Sequence, residues 1–447
     1  MPGIAGIAES GRSTLVEGML NKIKHRGGAG RKVIEVEDET LGIVWTKSQE
    51  SSIGNQISDQ SVRDYVDEGH FAEACVKNGR LMLTRDPLGI APLYYGKTED
   101  GVLCFASEVK ALLEVTHDIH ELPPGCRYDG SRMERYFCLQ KQPPSDETPE
   151  HIAKELYLRL AASVEKRIRG DVAGSWLSGG LDSSALAALA RPHVETLHTF
   201  AAGFPDAPDI ERAREVADFI GSNHHEVIVN FDELLAVLPT VIYHLESFDA
   251  LLVRSSITNY LVGKAASKYV SSVFTGEGAD ELFAGYDYLK SLDISMLPDE
   301  LIDIENRLHN TALQRVDRSA SAHGLIAHVG FLDSEVVDYA LRIPAKFKLY
   351  NGMEKWILRR AIDEKLPKEI VNRKKAKFWE GAGVSELLAQ YANEHITDDE
   401  FKDERTLLNG EVINTKEELM YYRIFRRHFG DLTDISWMGR TKGAPKQ

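Results

Sequence analysis

A short apolar run that ends in serine and glycine and restarts at once as a helix is compatible with few folds. Residues 174–190 have that form: Gly174 to Leu177 reads as a strand, Ser178-Gly179-Gly180-Leu181-Asp182-Ser183-Ser184 as a turn, and Ala185 to Ala190 as helix. Glycines let a backbone approach a ligand closely, and the unpaired N–H groups at a helix start hold anions. Ser178, Ser183 and Ser184 add hydroxyl donors, and Asp182 adds a carboxylate suited to Mg2+. The Gly-Lys-Ser/Thr ending of a Walker loop is absent, so a phosphate cradle here is of another kind. Taken alone, such a turn also suits an ordinary capped helix.

A second junction of the same form follows the buried strand Ser271 to Thr275. It reads Thr275-Gly276-Glu277-Gly278-Ala279-Asp280-Glu281 and continues into Leu282-Phe283. In an open parallel sheet the strand C-termini line the ligand crevice, so two such turns face one pocket. Glu277 and Asp280 share a face at helical spacing; one suits Mg2+, the other a general base acting on an incoming amine. The competing reading is a helix whose acidic first turn is stabilised by the dipole.

The surrounding pattern supplies the sheet. From His151, helix and strand alternate: helices over 152–168, 211–220 and 234–244, strands over 196–202, 225–229 and 271–275. This predicts a doubly wound parallel sheet, with further helices from Pro298 onward. Before it, residues 1–135 read as β-rich, with strands at 4–7, 41–45, 79–84, 92–95 and 101–106, and helices at 15–23 and 108–113. Residues 140–149, with Pro143, Pro144 and Pro149, are the linker candidate. The 447 residues have room for two or three such domains. A formal charge of −16 weighs against nucleic acid or an anionic membrane as partner. With no apolar run of membrane-spanning length and no signal pattern, a cytoplasmic enzyme is expected. Cys75, Cys104, Cys126 and Cys138 lack metal-ligand spacing and read as buried or incidental thiols.

SGGLDSS (178–184) resembles the pyrophosphate loop of enzymes that split ATP between its α and β phosphates. Together with HTFAAGF (198–204), TGEGADELFAGY (275–286), GFLD (330–333), NGMEKWILRRAI (351–362) and NRKKAKFWEGAG (372–383), it makes nearly the whole chain similar to the asparagine synthetase B family. The resemblance implies an α/β architecture: an Ntn-hydrolase-like, glutaminase-type domain over 1–140 and an ATP-pyrophosphatase domain over 141–447. It implies ATP and Mg2+ as cofactors, and a small carboxylate such as aspartate that attacks the α-phosphorus. The resulting acyl-adenylate passes to ammonia or an amine. Position by position, Leu177, Ala202, Thr275 and Gly276 would contact adenosine. Ser178, Gly179, Gly180, Asp182, Ser183 and Ser184 would bind phosphate and metal. Glu277 would be the catalytic carboxylate, Asp280 a Mg2+ ligand, and Lys375 the cation on the leaving pyrophosphate. Glu246, Asp249, Arg254, His328 and Glu354 match positions on the acyl-acceptor side, where structural salt bridging is the alternative. A homodimer and a separate amine-donating partner are both compatible with the family.

The chain also departs from the family. Glutamine-hydrolysing members begin Met-Cys-Gly, whereas this chain begins Met1-Pro2-Gly3, and proline carries no side-chain nucleophile. The HRGPD turn survives only as His25-Arg26-Gly27-Gly28-Ala29, the Asn-Gly oxyanion segment has no counterpart, and the domain reads as shortened around 45–75. Synthetases that use aspartate carry Glu-Ala-Arg-Val-Pro-Phe-Leu-Asp where this chain has Ile326-Ala327-His328-Val329-Gly330-Phe331-Leu332-Asp333. A fixed charge pair is thereby lost, since histidine is mostly neutral near pH 7. The expectation is an amide-forming ligase without its own glutaminase. A lactam or other amide synthetase, a sulfur-transferring tRNA enzyme and a nucleotide-binding pseudoenzyme are the competing readings.

Overall fold

The computed structural model describes residues 2–58, 60–67, 69–205, 207–373 and 385–441. Up to Arg135 the chain builds two six-stranded antiparallel sheets. The first contains β1 (Gly3–Ile7), β2 (Gly30–Val36), β3 (Glu39–Trp45), β8 (Tyr94–Lys97), β9 (Leu103–Ala106) and β10 (His120–Glu121), in the order β10-β8-β9-β1-β3-β2. The second contains β4 (Ile57–Ser58), β5 (Ser61–Asp67), β6 (His70–Val76), β7 (Leu81–Arg85), β11 (Cys126–Tyr128) and β12 (Met133–Arg135), in the order β12-β11-β7-β6-β5-β4. Period-two alternation explains the layering. Ile4, Leu41, Ile43 and Phe105 pack between the sheets against Val62, Ala74 and Leu83. Ala5, Ile7 and Ala106 turn outward to Val16, Met19 and Leu20 of helix α1 (Ser13–Lys22) and to the short helix α2 (Val109–Leu112).

The stretch expected to be shortened holds the β5–β6 hairpin. Its inward positions do not read as strand because two of them are charged: Val62, Asp64 and Asp67 are buried, while Arg63 and Tyr65 between them are partly exposed. All four cysteines are free; Cys75, Cys104 and Cys126 are buried and Cys138 is exposed.

No helix or strand interrupts the chain between Arg135 and Pro149. Helix α3 (Pro149–Glu165) then starts where Thr148 caps it, its hydroxyl accepting from His151 N at 3.3 Å. The five-stranded parallel sheet has the order β15-β14-β13-β16-β17: β13 (Val172–Trp176), β14 (Thr196–Gly203), β15 (Asn223–Ile228), β16 (Ser272–Phe274) and β17 (Ile326–His328). The chain winds outward on one side of β13 and then returns to its other side as β16. The switch point therefore lies between the two glycine-bearing turns. Helices α4 (Leu181–Ala190) and α5 (Pro208–Ile220) join α3 on one face. Val262 and Ala266 of α7 (Ala250–Ala266) and Val316 and Ala320 of α10 (Ala312–Ser321) cover Trp176, Phe200, Val273 and Ala327 on the other.

Between them in sequence lie α6 (Phe231–Leu245), α8 (Ala279–Leu282) and α9 (Leu297–Asn306). Helices α11 (Ser334–Arg342), α12 (Ala345–Lys348), α13 (Trp356–Ala361) and α14 (Lys368–Val371) follow, and Ser385–His395, Asp398–Glu404 and Lys416–Phe429 close the described chain. Among the described residues no single helix is long and apolar enough to cross a membrane. The apolar pair α6–α7, bent by 108°, packs its side chains into the cores.

Two buried ion networks join the antiparallel layers to the parallel-sheet half. Arg26, fully buried, donates to Asp317 through both terminal nitrogens (2.8 and 2.9 Å), to Glu108 (2.8 Å) and to the Pro2 carbonyl (2.9 Å). Asp64 lies 3.5 Å away, and burial pushes its carboxyl up to about 7 against the pull of Arg26. Arg318 extends the network to Glu246 (3.0 Å). In the second network Arg167 grips Asp67 with two nitrogens (2.8 and 3.0 Å) and Asp333 with a third (2.7 Å). Burial works against the charge on Asp67, yet His70, His328 and Arg167 hold its carboxyl well below the usual carboxylate range.

The first network also fixes a pH response. His244 packs edge-on to His25 with ring centroids 4.6 Å apart, and burial, reinforced by His25 and Lys110, lowers its imidazole to about 2 from 6.5. Below pH 6.5 the unfolded chain takes up a proton that folded His244 refuses. Wild-type stability therefore falls relative to His244→Phe as the pH drops. The gap between the two is expected to change by about 1.4 kcal/mol between pH 7.5 and 5.5, read by urea unfolding at both.

Candidate active site

The first turn is held open by its own hydroxyls. Ser183 Oγ accepts from Ser178 N (3.1 Å) and lies 3.0 Å from Ser178 Oγ, which in turn accepts from Gly180 N (3.4 Å). Gly179 adopts φ +65°, and a Cβ there would come within 2.5–2.6 Å of Arg212 and Ala213 on α5, so only glycine fits. Helix α4 follows from Gly180 in extended conformation with no side-chain cap, so its first N–H groups remain available to an anion. The sequence LDSSALAALA suits a helix buried on nearly every side: alanine- and leucine-rich, without β-branched residues. Ser184 is fully buried, which sets it apart from the partly exposed Ser178, Asp182 and Ser183. Arg373 reaches this turn, donating to the Gly179 carbonyl (3.1 Å) and pairing with Asp209 (2.6 Å).

The second turn packs directly on the first. A Cβ on Gly276 would lie 2.8 Å from Asp182 Cβ and 2.9 Å from Ser183 N, so the two backbones touch there. Thr275 N donates to the His328 carbonyl (3.0 Å), which continues the β16–β17 pairing to the edge of the turn. Leu177, Ala202 and Thr275, expected to contact adenosine, stand at the C-terminal ends of β13, β14 and β16, each at most 4% exposed. Gly276→Ala is expected to push the turns apart by a few tenths of an ångström or more and to lower turnover about 10–100-fold. Pyrophosphate release measures the loss, and an unchanged melting temperature shows that the sheet survives.

Lys355 joins the carboxylates of the two turns. Its Nζ lies 2.5 Å from Asp182 Oδ2 and 2.6 Å from Asp280 Oδ1, and its side chain is 2% exposed. Glu277 pairs with Arg315 of α10 (2.5 Å), which also donates to Ser255 Oγ (3.1 Å). Beside them Glu281 accepts from the Tyr286 hydroxyl, and burial, with Asp280 adjacent, pushes its carboxyl up to about 7. Two carboxylate oxygens from different turns, already sharing one cation, form a donor set suited to a hard divalent ion.

The five acyl-side candidates are engaged by the chain itself. Glu246, fully buried, accepts from Val109 N (3.1 Å) and Lys110 N (2.7 Å) and pairs with Arg318. Asp249 caps α7 through Leu252 N (2.9 Å) and accepts from Thr441 (N 3.1 Å, Oγ1 2.8 Å). Arg254 pairs with Glu417 (2.6 Å), and Glu354 with Arg359 (2.9 Å) and Lys290 (3.0 Å). His328, 7% exposed, lies 3.4 Å from Asp67, and burial lowers its imidazole. A substrate clamp and an internal ion pair use the same residue types, so a matching position does not separate them. Lys375 lies outside the described residues.

Three site residues were missed in the sequence. Lys355 and Arg373 lie inside quoted motifs without an assigned role, and Arg315 lies in none. No period marks Arg315, because α10 (ALQRVDRSAS) buries Asp317 and Arg318 where apolar residues are expected.

Residues 155–304 and 299–443 match the family described as asparagine synthase, and residues 44–114 match the glutamine amidotransferase domain family. The chain is 34% identical over 399 residues to asparagine synthetase (glutamine-hydrolyzing) 2 of Arabidopsis thaliana, covering 82% of this chain and 68% of the relative. It is 34% identical over 390 residues to asparagine synthetase B (glutamine-hydrolyzing) of Escherichia coli K12 (81% and 70%). The synthetase of Sandersonia aurantiaca matches at 34% over 391 residues (81% and 74%). With the family profile spanning most of the parallel-sheet half and asparagine synthetases aligned over four-fifths of this chain, the chain belongs to the asparagine synthase family and is an ATP-dependent carbon–nitrogen ligase of the asparagine-synthetase type.

Proposed function

We propose that this ligase adenylates a small carboxylate, releases pyrophosphate, and passes the acyl group to ammonia or an amine without hydrolysing glutamine itself. One observation carries the adenylation reading: the SGGLDSS and TGEGADE turns touch at Gly276, and Asp182 and Asp280 share one cation-binding position. In this reading residues 1–140 are a glutaminase-like unit and residues 141–447 the synthetase. The first N–H groups of α4 and the Ser178 and Ser183 hydroxyls bind phosphate. Asp182 and Asp280 would hold Mg2+, which supplies charge compensation on the phosphates when bound. Arg315 orients Glu277, whose carboxylate would take a proton from the incoming nitrogen. Lys375 would meet the departing pyrophosphate.

Loss of glutaminase activity is supported by Pro2 in the place of the nucleophilic cysteine. Arg26 beside it is committed to Asp317, Glu108 and the Pro2 carbonyl. The buried thiols offer no substitute, since burial pushes Cys104 up to about 12 and also raises Cys75. The nitrogen source is then free ammonia, an amine on the substrate, or a separate donor protein, in a cytoplasmic enzyme that can assemble as a homodimer.

The test is pyrophosphate and AMP formation from ATP with aspartate and ammonia. Formation in equal amounts is expected, with glutamine supporting none above the ammonia-free background; glutamate release from glutamine would overturn the second part. A different acceptor acid is the second reading. It is favoured by His328, which is engaged with Asp67, and by Ile326, where aspartate-using enzymes carry a charge pair. Pyrophosphate release with another amino acid but not aspartate would select it.

A further inference from the structure

We propose that Lys355 is the resident countercation of the metal site. Its ammonium stands between Asp182 and Asp280 while the nucleotide is absent, and yields that position to the divalent ion only when phosphates arrive to receive it. The proposal rests on the ligase reading for the identity of the incoming group, and adds to it an ordered exchange of one cation for another.

The geometry of the lysine points this way. Its Nζ contacts one oxygen from each of two separate strand–helix turns, at 2.5 and 2.6 Å, and its side chain is almost wholly buried. A side chain whose task was to neutralise one surface carboxylate would not bridge both turns. The stem has been given room: Gly285 lies against Lys355 Cε and the Asp280 carboxylate, where a Cβ would collide with both. The backbone beneath is fixed. Lys355 sits in the left-handed region at φ 55° and Ala284 at φ 58°, conformations that residues with a Cβ adopt at a cost, and Lys355 N donates to Phe283 O (3.1 Å). The preceding Glu354 is clamped by Arg359 and Lys290. A rigid root with a flexible four-carbon stem lets the ammonium move while the chain stays still.

Electrostatics gives the direction of the exchange. The ammonium already occupies the position between the two carboxylates, so a free divalent ion must displace the lysine to enter. A bound triphosphate brings several negative charges to the N-terminus of α4, beside Asp182. The ammonium is then drawn to phosphate oxygen, and the acidic pair opens to the metal. The site thus discriminates against metal without nucleotide.

Mn2+ is the probe. Titrated by electron paramagnetic resonance without nucleotide, Lys355→Met is expected to bind Mn2+ at least tenfold more tightly than wild type. Addition of α,β-methylene-ATP should close that gap. Equal affinity of wild type and Lys355→Met without nucleotide would overturn the proposal. Wild type alone supplies a second measurement, should the variant fold poorly. Millimolar Mg2+ by itself is expected to leave its melting temperature unchanged, and Mg2+ with the analogue to raise it; a rise with Mg2+ alone overturns the proposal. These readouts are separate from turnover. Normal pyrophosphate release with lysine-independent Mn2+ binding would remove this proposal and keep the ligase, whereas absent release with every acid would remove the ligase reading while the nucleotide-free comparison still decides Lys355.

Discussion

Asp182→Asn is expected to lower ATP-dependent pyrophosphate release by about a thousandfold while leaving the fold intact, and Asp280→Asn to do the same. The magnitude follows from a weakened hold on the Mg2+ that would stabilise the negative charge developing on the leaving group. The fold survives because Lys355 keeps one partner in each single variant: Asp280 after the first substitution, Asp182 after the second. Replacing both carboxylates is different. It strands a buried ammonium, a change that costs about 3–5 kcal/mol. Activity should therefore fall to the same floor in all three proteins, while the melting temperature drops sharply only in the double variant. A single variant with normal turnover would show that its carboxylate does not act on the nucleotide.

Arg26→Met should produce the largest single-residue loss of stability, about 3–5 kcal/mol, far from the nucleotide crevice. Asp317, Glu108 and Asp64 would remain in a site from which water is excluded, with their shared cation gone. The sign of the pH dependence follows. Asp317 and Glu108 keep Arg318 and Lys110, but with one cation fewer all three carboxyls, Asp64 above all, bind protons more readily, so the deficit should shrink as pH falls from 8 toward 5. Arg31→Met is the contrast: its pair with Glu17 (3.1 Å) is about half exposed on both sides, and its loss should stay within about 0.5 kcal/mol. Urea unfolding of the three proteins at two pH values checks each statement.

The parts of the fold legible in the sequence are those where one physical rule acts alone. Glycines at strand ends announced both turns, and alternating helix and strand announced the parallel sheet between them. The β5–β6 hairpin escaped because Asp64 and Asp67 occupy inward positions that a hydrophobic pattern reserves for apolar side chains. Their arginine partners are distant in sequence, at positions 26 and 167. Lys355 escaped for a related reason. Its motif was visible, but a lysine beside a clamped glutamate looks like a surface pair until the fold brings two remote aspartates to its tip. On the acceptor side the motif positions were legible and their use was not: Glu246, Asp249 and Arg254 stabilise α2, α7 and the helix Lys416–Phe429. Residue type and position alone do not distinguish an internal carboxylate from one left for a substrate.

Helix α10 places Arg315 against Glu277 and, two and three residues later, Asp317 against Arg26 and Arg318 against Glu246. One rigid turn therefore belongs at once to the proposed reaction centre and to the seam with the antiparallel layers. If the proposed loss of glutamine hydrolysis holds, anyone grafting a relative's glutaminase-like half onto this chain would have to transplant that turn as well. A donor half carrying its own partner for position 317 would otherwise arrive with a mismatched charge and twist the helix that holds Glu277.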